Sequence, residues 1–212
     1  MPLNKEKAFK LIELLNKSIK DPKTSLKYRN QFTLLTSVVL SAQCTDVNVN
    51  NVTKSIYKKY YSPKHFVKLG INKIRNLIKS IGLFNNKAKN LYYLSKILLE
   101  QYQGKVPNKF EELIRLPGVG RKTANVVLNT AFNKATIAVD THVFRVGNRT
   151  GLSNGKNPEQ VENQLLKILP KKLIKKAHHL ILLHGRYTCK SRNPLCNKCV
   201  IKKICLYKGK NE

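Results

Sequence analysis

Lys122 and Asp140 are the residues whose types could do covalent chemistry. Lys122 follows the turn Pro117-Gly118-Val119-Gly120-Arg121, and Asp140 stands further on in Ala138-Val139-Asp140-Thr141-His142. An amine can attack a carbon while a carboxylate accepts a proton and stabilises developing positive charge. The amine must be neutral to attack, and at an ordinary pKa of about 10.4 roughly one lysine in a few thousand is neutral at pH 7. A helix N-terminus and an adjacent arginine both disfavour a further positive charge, and position 122 has both. Each residue also has a plainer role. Most lysines in so basic a chain are solvated charges, and Asp140 is placed to cap the helix that follows. Spacing alone does not bring the two side chains together.

The turn before Lys122 has its own chemistry. Leu113, Ile114 and Leu116 form a short apolar face that ends at Pro117. Proline fixes φ and glycine accepts positive φ, so Pro117 to Gly120 reverses the chain. From Arg121 the positions Val126, Val127, Thr130 and Ala131 recur at helical spacing. The first N–H groups of that helix have no partner within it, and Gly118 and Gly120 permit close approach. This is an anion site, most naturally for a phosphate, with Arg121 as an added cation. An ordinary pair of helices joined by a glycine turn would have the same pattern.

A second cluster closes the chain. Cys189, Cys196, Cys199 and Cys205 are spaced C-x6-C-x2-C-x5-C. Four thiolates this close in sequence can wrap one metal centre. Paired disulfides are the alternative, disfavoured by the intracellular character read from the rest of the chain. All-cysteine sites suit zinc as well as iron–sulfur clusters. Lys190, Arg192 and Lys198 lie between the thiols and would present cations on a rigid loop.

The elements that must position these groups read as helices throughout. Asn4 to Ile19 is amphipathic, with Phe9, Ile12, Leu15 and Ile19 on one face, and Asp21-Pro22 stops it. Phe32 to Leu40 is almost wholly apolar. A buried helix is the better reading, since no later segment offers a strand partner. Thr45 or Asp46 caps a helix carrying Val49, Val52, Ile56 and Tyr60. Ser62-Pro63 opens a short helix ending near Gly70. Ile71, Ile74, Ile78 and Ile81 mark another, closed by Gly82, and Asn86 to Gln103 is a long one stopped at Gly104. After Asp140 a helix runs to about Arg149, Pro158 starts the next, and Lys171 to Tyr187 is the last. His178 and His179 in that helix fall on different faces and lack a partner ligand at helical spacing. The fold class is all-α. From residue types alone, Gln43 is a polar loop residue, Leu83 is core, and Cys44 is a small hydrophobe.

Composition fits a polyanion partner. With 41 Lys and Arg against 11 Asp and Glu the net charge is +30, and nucleic acid is the simplest counterpart. At 42% hydrophobic the 212 residues can bury a real core. No long apolar span or signal pattern stands in the chain, so it reads as soluble, cytoplasmic and nucleoid-associated, without a membrane partner.

LPGVGRKTANVVLNTAF followed by AVDTHVFRVGNRTGL resembles the endonuclease III family, DNA glycosylase/AP lyases of the helix-hairpin-helix superfamily. The resemblance runs nearly the whole length and has consequences for every site. It makes Lys122 the nucleophile and Asp140 the assisting carboxylate. It implicates Gln43, in SAQCTD, as the residue that fills the gap left by an extruded base, and Leu83, in IGLFNNKA, as a wedge in the duplex. It places Gly118, Gly120, Arg121, Lys190 and Arg192 against DNA. It gives Cys189, Cys196, Cys199 and Cys205 a [4Fe–4S] cluster, with zinc as the alternative. It implies two helical domains flanking a DNA-binding cleft. One is a six-helix barrel over 23–135 with the helix-hairpin-helix, and the other joins 1–22 to 136–212. The expected partner is double-stranded DNA with damaged pyrimidines or abasic sites, bound by a monomer. The rivals are a monofunctional adenine-mispair glycosylase, which would not need Lys122, and a non-catalytic DNA-binding protein.

Overall fold

Helix follows helix from Lys5 to Tyr187, and no strand occurs among the residues described, 2–209 of a computed structural model. The chain divides into two compact units, Thr24–Phe132 and the pairing of Met1–Lys23 with Asn133–Glu212.

The continuous unit holds α2 (Gln31–Leu40), α3 (Asp46–Lys59), α4 (Pro63–Leu77), α5 (Phe84–Tyr102), α6 (Phe110–Leu113) and α7 (Arg121–Phe132). α2 is apolar on every side, and all its residues from Phe32 to Leu40 are buried. Its start is fixed by a reciprocal cap in which Asn30 and Thr33 each bond the other's backbone N–H. α3 and α7 pack against α2, as does α5, which also lies along α4. Thr45 is the cap of α3, and its side chain accepts from the Asn48 N–H. Gly70, at φ 69°, breaks α4 into the two helices that the sequence suggested. The core runs through Leu34, Leu35, Ile74, Ile78, Leu91, Leu94, Leu98 and Leu113. Each such side chain contributes about 1.5–3 kcal/mol by leaving water.

The discontinuous unit holds α1 (Lys5–Ser18), α8 (Thr141–Thr150), α9 (Pro158–Ile168) and α10 (Lys171–Tyr187), followed by a 3-10 turn at Cys196–Lys198. α10 packs on α8 and on α1, around Leu11, Ile12, Leu15, Val143, Val146 and Ile181. Leu180 is fully buried there. His178 and His179 do not diverge as neighbours on a helix would by spacing alone. Both are buried, with ring centroids 4.7 Å apart. No helix among the described residues is long and apolar enough to cross a membrane.

Candidate nucleic-acid interface and cysteine site

The turn between α6 and α7 is built as its glycines require. Gly118 has φ 78°, a conformation few other residues adopt. A Cβ there would stand 2.8 Å from Nδ2 of Asn90 on α5, so the position also lacks room. Gly120 faces open space, and a Cβ there would meet nothing within 4 Å. Gly118, Gly120, Arg121 and Lys122 are all exposed, whereas Leu116 and Val119 are buried beneath them. The Arg121 guanidinium lies 5.4 Å from the Phe110 ring centroid, which ties the first residue of α7 to α6. The result is an exposed lysine in the first turn of a helix, beside backbone that a ligand can approach closely.

Two further loops of this unit stand beside each other. Gln43 and Leu83 are both exposed and both left-handed, at φ 53° and 59°. A Cβ on Gly82 would lie 3.6 Å from the Gln43 carbonyl oxygen. Asn48 Nδ2 donates to Ser80 O at 3.1 Å and to Cys44 Sγ at 3.3 Å. Leu83 corrects the reading from residue type alone: it is 56% exposed, not core. It stands in the left-handed conformation at the cap of α5, whereas Ile81 two residues earlier is buried. Cys44 is partly buried against the core, as a small hydrophobe. Gln43 and Leu83 thus share one surface, and Lys87 lies under it, a residue that sequence reasoning passed over. Its Nζ donates to Leu40 O at 2.9 Å and to Ala42 O at 2.5 Å. A lysine between two asparagines and an alanine gave no hint of burial.

In the other unit Asp140 takes the plainer role as a fact of geometry. Its Oδ1 accepts from the Val143 N–H at 2.8 Å and caps α8. The cap holds the carboxylate half-buried at a helix start. Lys122 lies in one unit and Asp140 in the other.

α8 also organises the cysteine loop, through two arginines one turn apart. Arg145 donates from Nε to Cys189 O at 3.0 Å and from Nη2 to Gly185 O at 2.8 Å. Arg149 donates to Lys190 O, Ser191 O and, at 3.8 Å, Cys189 Sγ. Sequence reasoning missed both. The available signal was their spacing of four on a helix, which puts them on one face. Lys190 and Arg192 are exposed on the loop so held.

Cys189, Cys196, Cys199 and Cys205 line one cavity with Thr150, His184 and Ile201. Burial pushes the Cys199 thiol up. A backbone N–H bond at Ile201 opposes this, and the Cys205, Cys189 and Cys196 thiols reinforce it. His184 Nε2 lies 3.7 Å from Cys199 Sγ. Burial lowers the His184 pKa to about 4, so this ring is neutral at pH 7. Among the described residues no three His, Cys, Asp or Glu side chains converge closely enough to hold a metal ion as they stand.

The pattern of the HhH-GPD superfamily of base excision DNA repair proteins matches residues 36–171, from α2 into the start of α10. The chain belongs to this superfamily. Two endonucleases III are similar over almost their whole lengths. Endonuclease III of Rickettsia conorii is 56% identical over 198 residues, covering 93% of this chain and 94% of the relative. Endonuclease III of Escherichia coli K12 is 49% identical over 208 residues, covering 98% and 99%. A solved structure of a trapped covalent endonuclease III–DNA intermediate matches with a TM-score of 0.90 at 43% identity, covering 96% of each chain. A thermostable thymine-DNA glycosylase matches at a TM-score of 0.81 and 25% identity, covering 93% of this chain and 92% of that one.

Proposed function

We propose that this base excision repair enzyme is a bifunctional DNA glycosylase and AP lyase acting on oxidised or ring-damaged pyrimidines in duplex DNA, with Lys122 as its nucleophile. One observation carries the reading: an exposed lysine in the first turn of α7, next to a glycine turn open to a DNA backbone, in a chain similar to a protein trapped covalently on DNA.

The steps follow from the residues. The damaged nucleotide leaves the stack, Gln43 fills the gap and Leu83 wedges beside it. Lys122 Nζ attacks C1′ as a neutral amine, and the C1′–N bond to the base breaks with its electron pair leaving on the base. The base takes up a proton from solvent, and the new C1′–N centre gives up one of its own. Opening of the sugar gives a Schiff base between Nζ and C1′, which acidifies C2′. Loss of a C2′ proton breaks the C3′–O bond and frees the 3′ phosphate. Asp140 accepts a proton and stabilises positive charge on the nitrogen. Gly118, Gly120 and Arg121 hold phosphate, as do Lys190 and Arg192. We read the two compact units as the two domains.

The thiols of Cys189, Cys196, Cys199 and Cys205 are proposed to hold a [4Fe–4S] cluster. The donor set suits it: four cysteines around one cavity, one of them disfavoured as an anion by burial and by its neighbours until a cationic centre balances the charge. When bound, the cluster cross-links the loop that presents Lys190 and Arg192. Iron and zinc analysis of the purified protein separates the cluster from the zinc alternative.

The test is a duplex with a single ring-saturated pyrimidine. Release of the free base together with strand cleavage 3′ to the site is expected, with undamaged duplex left intact. Base release without cleavage would make the protein a monofunctional glycosylase. Binding without either product would make it a non-catalytic DNA-binding protein.

A further inference from the structure

Lys87 is 4% exposed, and its ammonium donates to two backbone carbonyls, those of Leu40 and Ala42. Burying an ammonium costs free energy, and burial lowers the pKa of Lys87, with Cys44 opposing. The site therefore needs something from this residue that an apolar side chain would not give. Leu40 ends α2, where carbonyls lack helical partners and the helix dipole is negative, so a buried cation is favoured there. Ala42 immediately precedes Gln43. The Lys87 backbone N–H donates to Leu83 O at 3.0 Å, the first helical bond of α5, so the lysine stands on the turn that Leu83 opens. The ammonium is thus bonded to the carbonyl before Gln43, while its own helical turn begins at Leu83, so the side chain joins the start of α5 to the Gln43 loop.

Both of those exposed residues sit in the left-handed region, at a cost of roughly 1–2 kcal/mol for a residue with a Cβ. Such conformations persist only where the surroundings over-determine them. Asn48, through Ser80 O, and the Gly82–Gln43 approach bind the same two loops to each other. A lysine has three N–H donors on a flexible stem, enough to serve two diverging carbonyls at once.

We propose that Lys87 is a positioning residue that fixes Gln43 and Leu83 as one two-pronged wedge, so that both enter a duplex together. The proposal rests on the reading of Gln43 and Leu83 as inserted residues.

The experiment uses the full chain and a duplex with an abasic site opposite 2-aminopurine, whose fluorescence rises when its stacking is broken. Gln43→Ala and Leu83→Ala are measured singly and together, in the wild-type and the Lys87→Met backgrounds. In the wild-type background the two substitutions are expected to be coupled by about fivefold in the rate of the rise, an ordinary size for interacting residues. In Lys87→Met the coupling disappears, while affinity for undamaged duplex at the same salt stays within about twofold, because phosphate contacts set it. Coupling that survives in Lys87→Met would overturn the proposal and leave the inserted residues standing. A rise unaffected by either alanine would overturn the reading of those residues, and the proposal with it. Lys87→Gln, which keeps N–H donors on a shorter stem, covers the case of a Lys87→Met chain that does not fold. In it, faster amide exchange is expected in both 41–46 and 80–84 together, and faster exchange in one loop alone, or in neither, would contradict the shared anchor.

Discussion

Arg149 donates to the Lys190 carbonyl at 2.7 Å and so ties α8 to the loop that carries the cysteines. A second N–H holds Ser191 O at 2.9 Å, and the guanidinium lies 4.6 Å from the Tyr207 ring centroid. Arg149→Met keeps the stem and loses every donor. A loss of about 1.5 kcal/mol is expected, since bonds from a charged donor are stronger than neutral ones. Thermal unfolding followed by circular dichroism should show Tm lowered by about 3–6 °C. An unchanged Tm would mean that the loop holds its shape without this arginine.

Gly118→Ala introduces two separable penalties. The left-handed φ costs about 1–2 kcal/mol, and the new methyl group collides with Asn90. Overpacking of that kind adds about 1–3 kcal/mol. The pair Gly118→Ala with Asn90→Ala should recover the part of the collision due to the Asn90 amide, while the retained Asn90 Cβ, 3.0 Å away, and the φ cost remain. Urea unfolding of the two single variants and the double variant measures both parts.

Asp140→Asn separates capping from chemistry. Asparagine caps a helix about as well as aspartate, so stability should change by no more than about 0.5 kcal/mol. The proposed proton acceptor is gone, and base release should slow by about 100-fold or more. Single-turnover excision on the folded variant reads this directly.

His179 makes stability fall in acid. Burial, and then the charge of Lys175, hold its pKa down to about 4. An unfolded histidine titrates near 6.5, so between the two values the unfolded chain binds the extra proton. Stability is therefore complete above about pH 6.5 and is lost as pH falls toward 4, at up to about 1.4 kcal/mol per pH unit. His179→Leu should make that fall shallower, with the part due to His184 remaining, and it also removes a buried Nδ1 that has no hydrogen-bond partner among the described residues. Tm measured at steps from pH 7 to pH 4.5 in both proteins checks it.

The helices were legible because their punctuation is local. Thr45, Ser62-Pro63 and Gly70 each act within a turn of their own position, and each stands where the sequence put a boundary. The glycine turn before Lys122 was legible for the same reason. Leu83 was not, because a leucine carries no local sign of its exposure; only its neighbours in space decide that. Lys87, Arg145 and Arg149 were hidden more deeply. Their partners are backbone carbonyls some forty residues away, and a carbonyl has no signature in the sequence. His178 and His179 misled because helical spacing fixes where a side chain starts and not where its ring ends.

Lys122 is the residue on which the whole account turns. Borohydride reduction on a duplex with one abasic site, with wild type beside Lys122→Ala, tests it most directly. A covalent protein–DNA adduct with wild type and none with Lys122→Ala is the expected result. Equal adducts from both would move the nucleophile to another amine. No adduct from a wild-type protein that still binds the duplex would contradict the lyase assignment itself.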